Sequence, residues 1–156
     1  MAKISAEQRA ANKAQFDEVI VEMFWESGWD SITLNNVSDR LGIRKSTVQN
    51  YYPNKKDFGE ALKGKVLPVV LDCLDLTSSE EFKISWEIAM KTDQRFRRVV
   101  HLLVSNATSE ATSALTVGGV VRLRHLLADK WASDKVANDT INWVLGLSVI
   151  SLAEKI

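Results

Sequence analysis

Apolar residues recur at spacings of three and four along almost the whole chain, and no alternation of apolar and polar residues persists long enough to build a sheet. The pattern therefore predicts helices throughout. Phe16, Val19, Ile20, Met23 and Phe24 form the first stripe; Ser5 with Gln8 has the spacing of a capping box ahead of it, and Gly28 ends it. Leu34, Val37 and Leu41 form a second, short stripe. Thr33 stands where its hydroxyl can cap that helix, and Gly42 stands where a positive φ closes one at little cost. Ile43 returns to the core, and a third short helix runs over residues 45–52 until Pro53 forbids its continuation.

Beyond that proline, Asn54 caps a fourth helix carrying Phe58, Leu62 and Val66. Pro68 lacks an amide hydrogen and crowds the carbonyl of Gly64, so a kink is expected between the two. Ser78 with Glu81 opens a helix striped by Phe82, Trp86, Ala89 and Met90; Phe96, Val99, Val100, Leu103 and Val104 stripe the next. A long helix over about residues 109–131 carries Leu115, Val120, Leu123 and Leu127. Gly118 and Gly119 in its middle cost ~1 kcal/mol each relative to Ala, which a local break or a close helix crossing would explain. Ser133 caps a last helix that is apolar nearly all round from residue 141 to 153, so one neighbouring face cannot bury it. The expected fold is all-α. A three-helix N-terminal helix-turn-helix head covers residues 1–54 and a small C-terminal helical bundle residues 55–156, whose last helix is either central to the bundle or covered by a partner subunit.

The second and third helices, joined at Gly42, outline a helix-turn-helix, whose second helix enters the DNA major groove. Residues 40–56 contain Arg40, Arg44, Lys45, Lys55 and Lys56 and no acidic residue. Ser46, Thr47, Gln49 and Asn50 lie between these cations, with side chains able to bond base edges or phosphates. The competing reading is an ordinary solvated basic face. Formal net charge over the 156 residues is zero, so affinity for DNA must come from this local stretch. Lys3, Arg9 and Lys13 could extend it as a basic arm, or be plain solvated cations.

The ungapped run GWDSITLNNVSDRLGIRKSTVQNYYPNKKDFGEAL, residues 28–62, resembles the N-terminal DNA-binding domain of TetR-type bacterial transcriptional regulators. The family's glycine and aromatic ahead of the motif fall on Gly28 and Trp29. Its turn glycine falls on Gly42 and its recognition-helix threonine on Thr47. Its buried aromatic falls on Tyr52, and the lysine opening the next helix on Lys55. The short chain and residues 52–62 are also similar to the LuxT-like subgroup. Arg44 replaces the usual serine cap, and Gln49 and Tyr51 replace the common tyrosine and histidine, so the family's operators do not carry over.

The resemblance implies a cytoplasmic, dimeric regulator, expected to act as a repressor on a palindromic operator. Its expected DNA contacts are Thr33, Arg44, Lys45, Ser46, Thr47, Gln49, Asn50, Tyr51 and Lys55. The body behind the head would both dimerise and hold a small-molecule effector. Trp143, Leu147 and Ile150 are the expected subunit interface, and Trp86, Met90, Phe96 and His101 the expected effector pocket, although aromatics at this spacing more often form plain core. An alternative is a helical adaptor or small-molecule-binding protein whose head no longer binds DNA.

Other chemistries find little footing. Gly59 to Lys65 has P-loop spacing, but Val66 stands where a Ser or Thr would hold magnesium and no strand precedes it. His101 and His125 have no partners at metal-ligand spacing, and no nucleophile and base pair up, so neither metal, cofactor nor enzymatic activity is expected. Cys73, the one cysteine, lies among apolar residues and fits a reducing compartment. The N-terminus shows no apolar signal region, and the apolar run of the last helix falls short of the ~20 residues of a membrane span.

Overall fold

The computed structural model describes residues 3–109 and 114–154, with side chains omitted for 114–117. All regular structure among the described residues is helical, and the chain divides into two compact units, Met1–Lys65 and Val66–Ile156. The sequence-based division at residue 54 follows the end of the recognition helix; the first compact unit also takes in the helix that follows, which packs on the first.

In the first unit, α1 (Ala6–Ser27) starts with Ser5 accepting a bond from the Gln8 amide and stops at Gly28, whose φ is 85°. A 3-10 turn (Trp29–Ser31) leads to α2 (Leu34–Leu41), then α3 (Lys45–Tyr51) and α4 (Lys55–Ala61). These helices are too short to persist alone and are held by what they bury. Ile20, Phe24, Ile32, Val37, Val48, Tyr52, Phe58 and Leu62 close the core. α4 begins with a complete capping box, the Asn54 side chain accepting at its N3 amide while Asp57 accepts from the Asn54 amide.

One expectation is corrected at its end. Instead of a single kinked helix, the chain breaks: α4 stops at Ala61, Gly64 takes a φ of 76°, and α5 (Leu67–Cys73) starts afresh. Pro68 lies in the first turn of α5, where a missing amide hydrogen leaves no helical bond unmade. The proline opens a helix and bends none.

The second unit comprises α5, α6 (Ser79–Thr92), α7 (Gln94–Ala107), α8 (Ala114–Trp131) and α9 (Asp134–Ala153). The start assumed for α8 near residue 109 falls partly outside the described residues. Its core gathers Phe82, Trp86, Met90, Phe96, Val100, Leu127, Ile141 and Val144. α9 packs against α6 and α8, and two hydroxyls fix how it lies on α6. Ser148 Oγ donates to the Val144 carbonyl (2.6 Å) and accepts from Trp86 Nε1 (2.8 Å). Thr140 Oγ1 donates to the Val136 carbonyl (2.6 Å), leaving Ser79 to donate to it (2.6 Å).

α8 runs through Gly118 and Gly119 without a break. A Cβ on either would meet no atom within 4 Å among the described residues, so no crossing among those residues explains them. The length argument for α9 is also corrected. The helix spans 20 residues and is apolar enough to cross a membrane by length and composition alone. Its Thr140 and Ser148 face is nevertheless packed and hydrogen-bonded inside a helical bundle.

Ser148 is fully buried, so Ser148→Ala leaves the Trp86 indole N–H without its acceptor. Denaturant unfolding should show a loss of ~1–3 kcal/mol, the cost of a buried unpaired donor.

Candidate nucleic-acid interface

The turn between α2 and α3 sets α3 in place. Thr33 Oγ1 accepts from the Asn36 amide (3.1 Å), capping α2. Gly42 closes α2 in the left-handed region, with φ 67° and ψ 31°. Ser38, itself buried, donates from Oγ to the Ile43 carbonyl (2.5 Å) and pins the chain as it leaves the turn. α3 then starts at Arg44 with no side-chain cap, as the replaced serine implies.

Seven residues make about two turns of α3, and their burial sorts them cleanly. Val48 is fully buried and Tyr51 is 8% exposed, both facing the core. Lys45, Ser46, Gln49 and Asn50 are exposed and share the opposite face, with Thr47 half-buried at its edge. Arg44, Lys55 and Lys56 are exposed as well. The Lys55 ammonium stands 5.0 Å from the Trp29 ring centre, a cation–π contact that holds it at the start of α4. Trp29 in turn lies beside Gly59, its ring 3.6 Å from where a Cβ would stand, an ordinary van der Waals contact. Thr33 is half-buried; its oxygen serves the cap, while its own proton can still be donated.

Two residues are placed differently from expectation. Arg40 leaves the basic stretch: both its terminal nitrogens meet Glu26 at 2.9 Å, with Glu22 at 4.0 Å, and this pairing holds the Glu26 carboxyl below its usual range. Tyr51 turns its ring away from the exposed face and onto α1. Phe16 meets it edge-on with centroids 5.0 Å apart, Asn12 Nδ2 donates to its hydroxyl (3.3 Å), and the Arg9 guanidinium lies 4.2 Å over the ring. Neighbouring Tyr52 is held likewise, its hydroxyl donating to Asp17 (2.5 Å) while Lys13 covers the ring at 5.0 Å. Burial first, and then the Asp17 carboxylate, push the Tyr52 phenol far above its ordinary range. Sequence reasoning left Arg9 and Lys13 as an arm or as solvated cations. The missed signal was spacing: residues 9, 12, 13, 16 and 17 share one face of α1.

The residues expected to line an effector pocket are mostly core. Trp86, Met90 and Phe96 are at most 3% exposed, and the Trp86 and Phe96 rings pack edge-on at 5.0 Å. His101 is half-buried, with Nε2 3.3 Å from Ser105 Oγ. Of the expected interface residues, Trp143 and Ile150 are 43% and 58% exposed, and Leu147 is half-buried against the core. Cys73 is half-buried and donates to Asp93 Oδ2 (3.3 Å); burial and that carboxylate push the thiol up to about 11, so it stays protonated at neutral pH. The P-loop-like spacing falls on α4 and the turn after it.

An all-helical chain with a helix-turn-helix at its head has the form of a transcriptional regulator of the TetR type. Residues 63–152 match the family model of the tetracycline repressor LuxT C-terminal domain, and the chain belongs to that family. No match was found among curated proteins. The family match covers the body, while the head is assigned from its own turn geometry.

At Gly42 there is room for a Cβ, so only the backbone conformation opposes a side chain. Gly42→Ala is expected to destabilise the chain by ~1–2 kcal/mol, the left-handed penalty of an L-residue, with thermal unfolding as the check.

Proposed function

We infer that the protein is a sequence-specific repressor that binds a palindromic operator in double-stranded DNA as a homodimer. One observation carries the reading: the polar residues of α3 are exposed together on one face, while its apolar residues anchor the opposite one. Laid in the major groove, that face offers Gln49 and Asn50 to base edges, with Lys45 and Ser46 beside them. Arg44 and Thr47 stand at its margins. Lys55, Lys56 and Thr33 serve the flanking phosphates. Tyr51 is left out of this set because its ring is spent on α1.

Support for the dimer comes from α9. Val136, Trp143 and Ile150 repeat every seven residues on one side of the helix and stay exposed, with Gly146 between the last two. A Cβ at Gly146 meets nothing within 4 Å among the described residues, so a partner helix has room to approach there. Two heads then meet two half-sites one or more helical turns apart, at ~34 Å per turn. A small-molecule effector that relieves repression belongs to this reading. Because Trp86, Met90 and Phe96 are packed, such a ligand must either displace them or bind elsewhere in the body.

Replacing Asn50 with Ala should cost ~1–3 kcal/mol on the operator and relax preference at one base position. Replacing Lys55 with Ala should weaken binding to every duplex and shrink the salt slope by about one unit. Fluorescence anisotropy over a salt series, on selected and scrambled duplexes, reads both. The reverse pattern would mean that α3 lies the other way in the groove.

Ile150→Asp places a carboxylate on the most exposed residue of the apolar stripe. Sedimentation should then show monomers where the wild-type chain gives dimers, and operator binding should be lost with the second head. A wild-type chain that is already monomeric at micromolar concentration contradicts the dimer.

A further inference from the structure

The last turn of α3 is held from outside the helix. Helical bonding ends with the Tyr52 amide on the Val48 carbonyl (2.8 Å), so the carbonyls beyond it need other partners. Arg9 Nη2 supplies one, donating to the Asn50 carbonyl at 3.0 Å. The same guanidinium lies over Tyr51, 4.2 Å from the ring centre. Asn12 and Phe16, three and seven residues further along α1, grip the other parts of that ring. The carbonyl that Arg9 holds belongs to the residue whose side-chain amide stands on the exposed face of α3.

We propose that Arg9 is a positioning residue for base reading: its planar guanidinium clamps the Tyr51 ring and the Asn50 carbonyl together, which fixes the direction of the Asn50 amide. This rests on the DNA-binding reading above. Bidentate pairing to adenine tolerates little angular error, so the reader has to be locked by groups behind it. Lysine is a poor replacement, because a compact ammonium does not offer a planar group that covers a ring while a separate nitrogen donates to the carbonyl beside it. Arg9 is exposed, so a direct bond from it to a phosphate is the rival assignment.

The test compares Arg9→Met, which removes charge and donor, with Arg9→Lys, which keeps the charge. In the free full-length chain, both variants should speed amide hydrogen exchange at Tyr51 and Tyr52 by about tenfold, the worth of one charge-assisted hydrogen bond. DNA binding is then measured on a duplex that the wild-type chain selects from a randomised pool, and on its scrambled version. Both variants should lose about tenfold on the selected duplex and little on the scrambled one, with the salt slope unchanged. Unchanged exchange in the free chain overturns the clamp. Equal losses on both duplexes, a slope smaller by one unit and recovery by lysine overturn it in favour of a phosphate contact. If the wild-type chain selects no duplex, the DNA reading itself fails, and the exchange result separates that case because it needs no DNA.

Discussion

α3 is too short to hold its own shape, and that constraint governs the head. An isolated helix of about two turns is unstable in water, because nucleation costs more than so few bonds return. Val48 and Tyr51 anchor it to the core, and Tyr52 closes its end. Each anchored position is withdrawn from solvent, so the face left for recognition is small and its direction is set by the anchors. α1 therefore does more than cover the motif. With Arg9, Asn12, Lys13, Phe16 and Asp17 it grips two successive tyrosines where α3 ends.

The body obeys a related logic. Thr140 and Ser148 hold one side of α9 to α6 through hydrogen bonds that an apolar contact could not orient. With that side fixed, Val136, Trp143, Val149 and Ile150 are turned outward. Gly118, Gly119 and Gly146 lower helix stability, and a Cβ at any of them would meet nothing within 4 Å among the described residues; the proposed dimer would give them a reason. Exposed apolar residues beside glycines in helices are what a close-packed second copy would use.

Much of this was legible in the chain because helix periods and caps are local. Thr33, Gly42, Asn54, Ser78 and Ser133 all act where spacing placed them. Pro68 misled because a proline that breaks a helix and one that begins a helix look alike until the turn at Gly64 is seen. Arg40 and Tyr51 were assigned by neighbourhood in sequence, yet their partners lie on α1, at Glu26 and at Arg9, Asn12 and Phe16. The shared face of α1 can be read from spacing, but no period says which distant residue such a face meets. The aromatic residues of α6 and α7 have the same spacing whether they fill a core or line a cavity; Trp86 and Phe96 fill one.

In the proposed function two copies of the chain present α3 to one DNA duplex. Sedimentation of the wild-type chain with a labelled duplex from upstream of its own gene, in moderate salt, tests it most directly. Two chains should sediment with each duplex, displaced by unlabelled copies of that duplex and poorly by a scrambled one. A complex with a single chain, or equal displacement by both competitors, would contradict it.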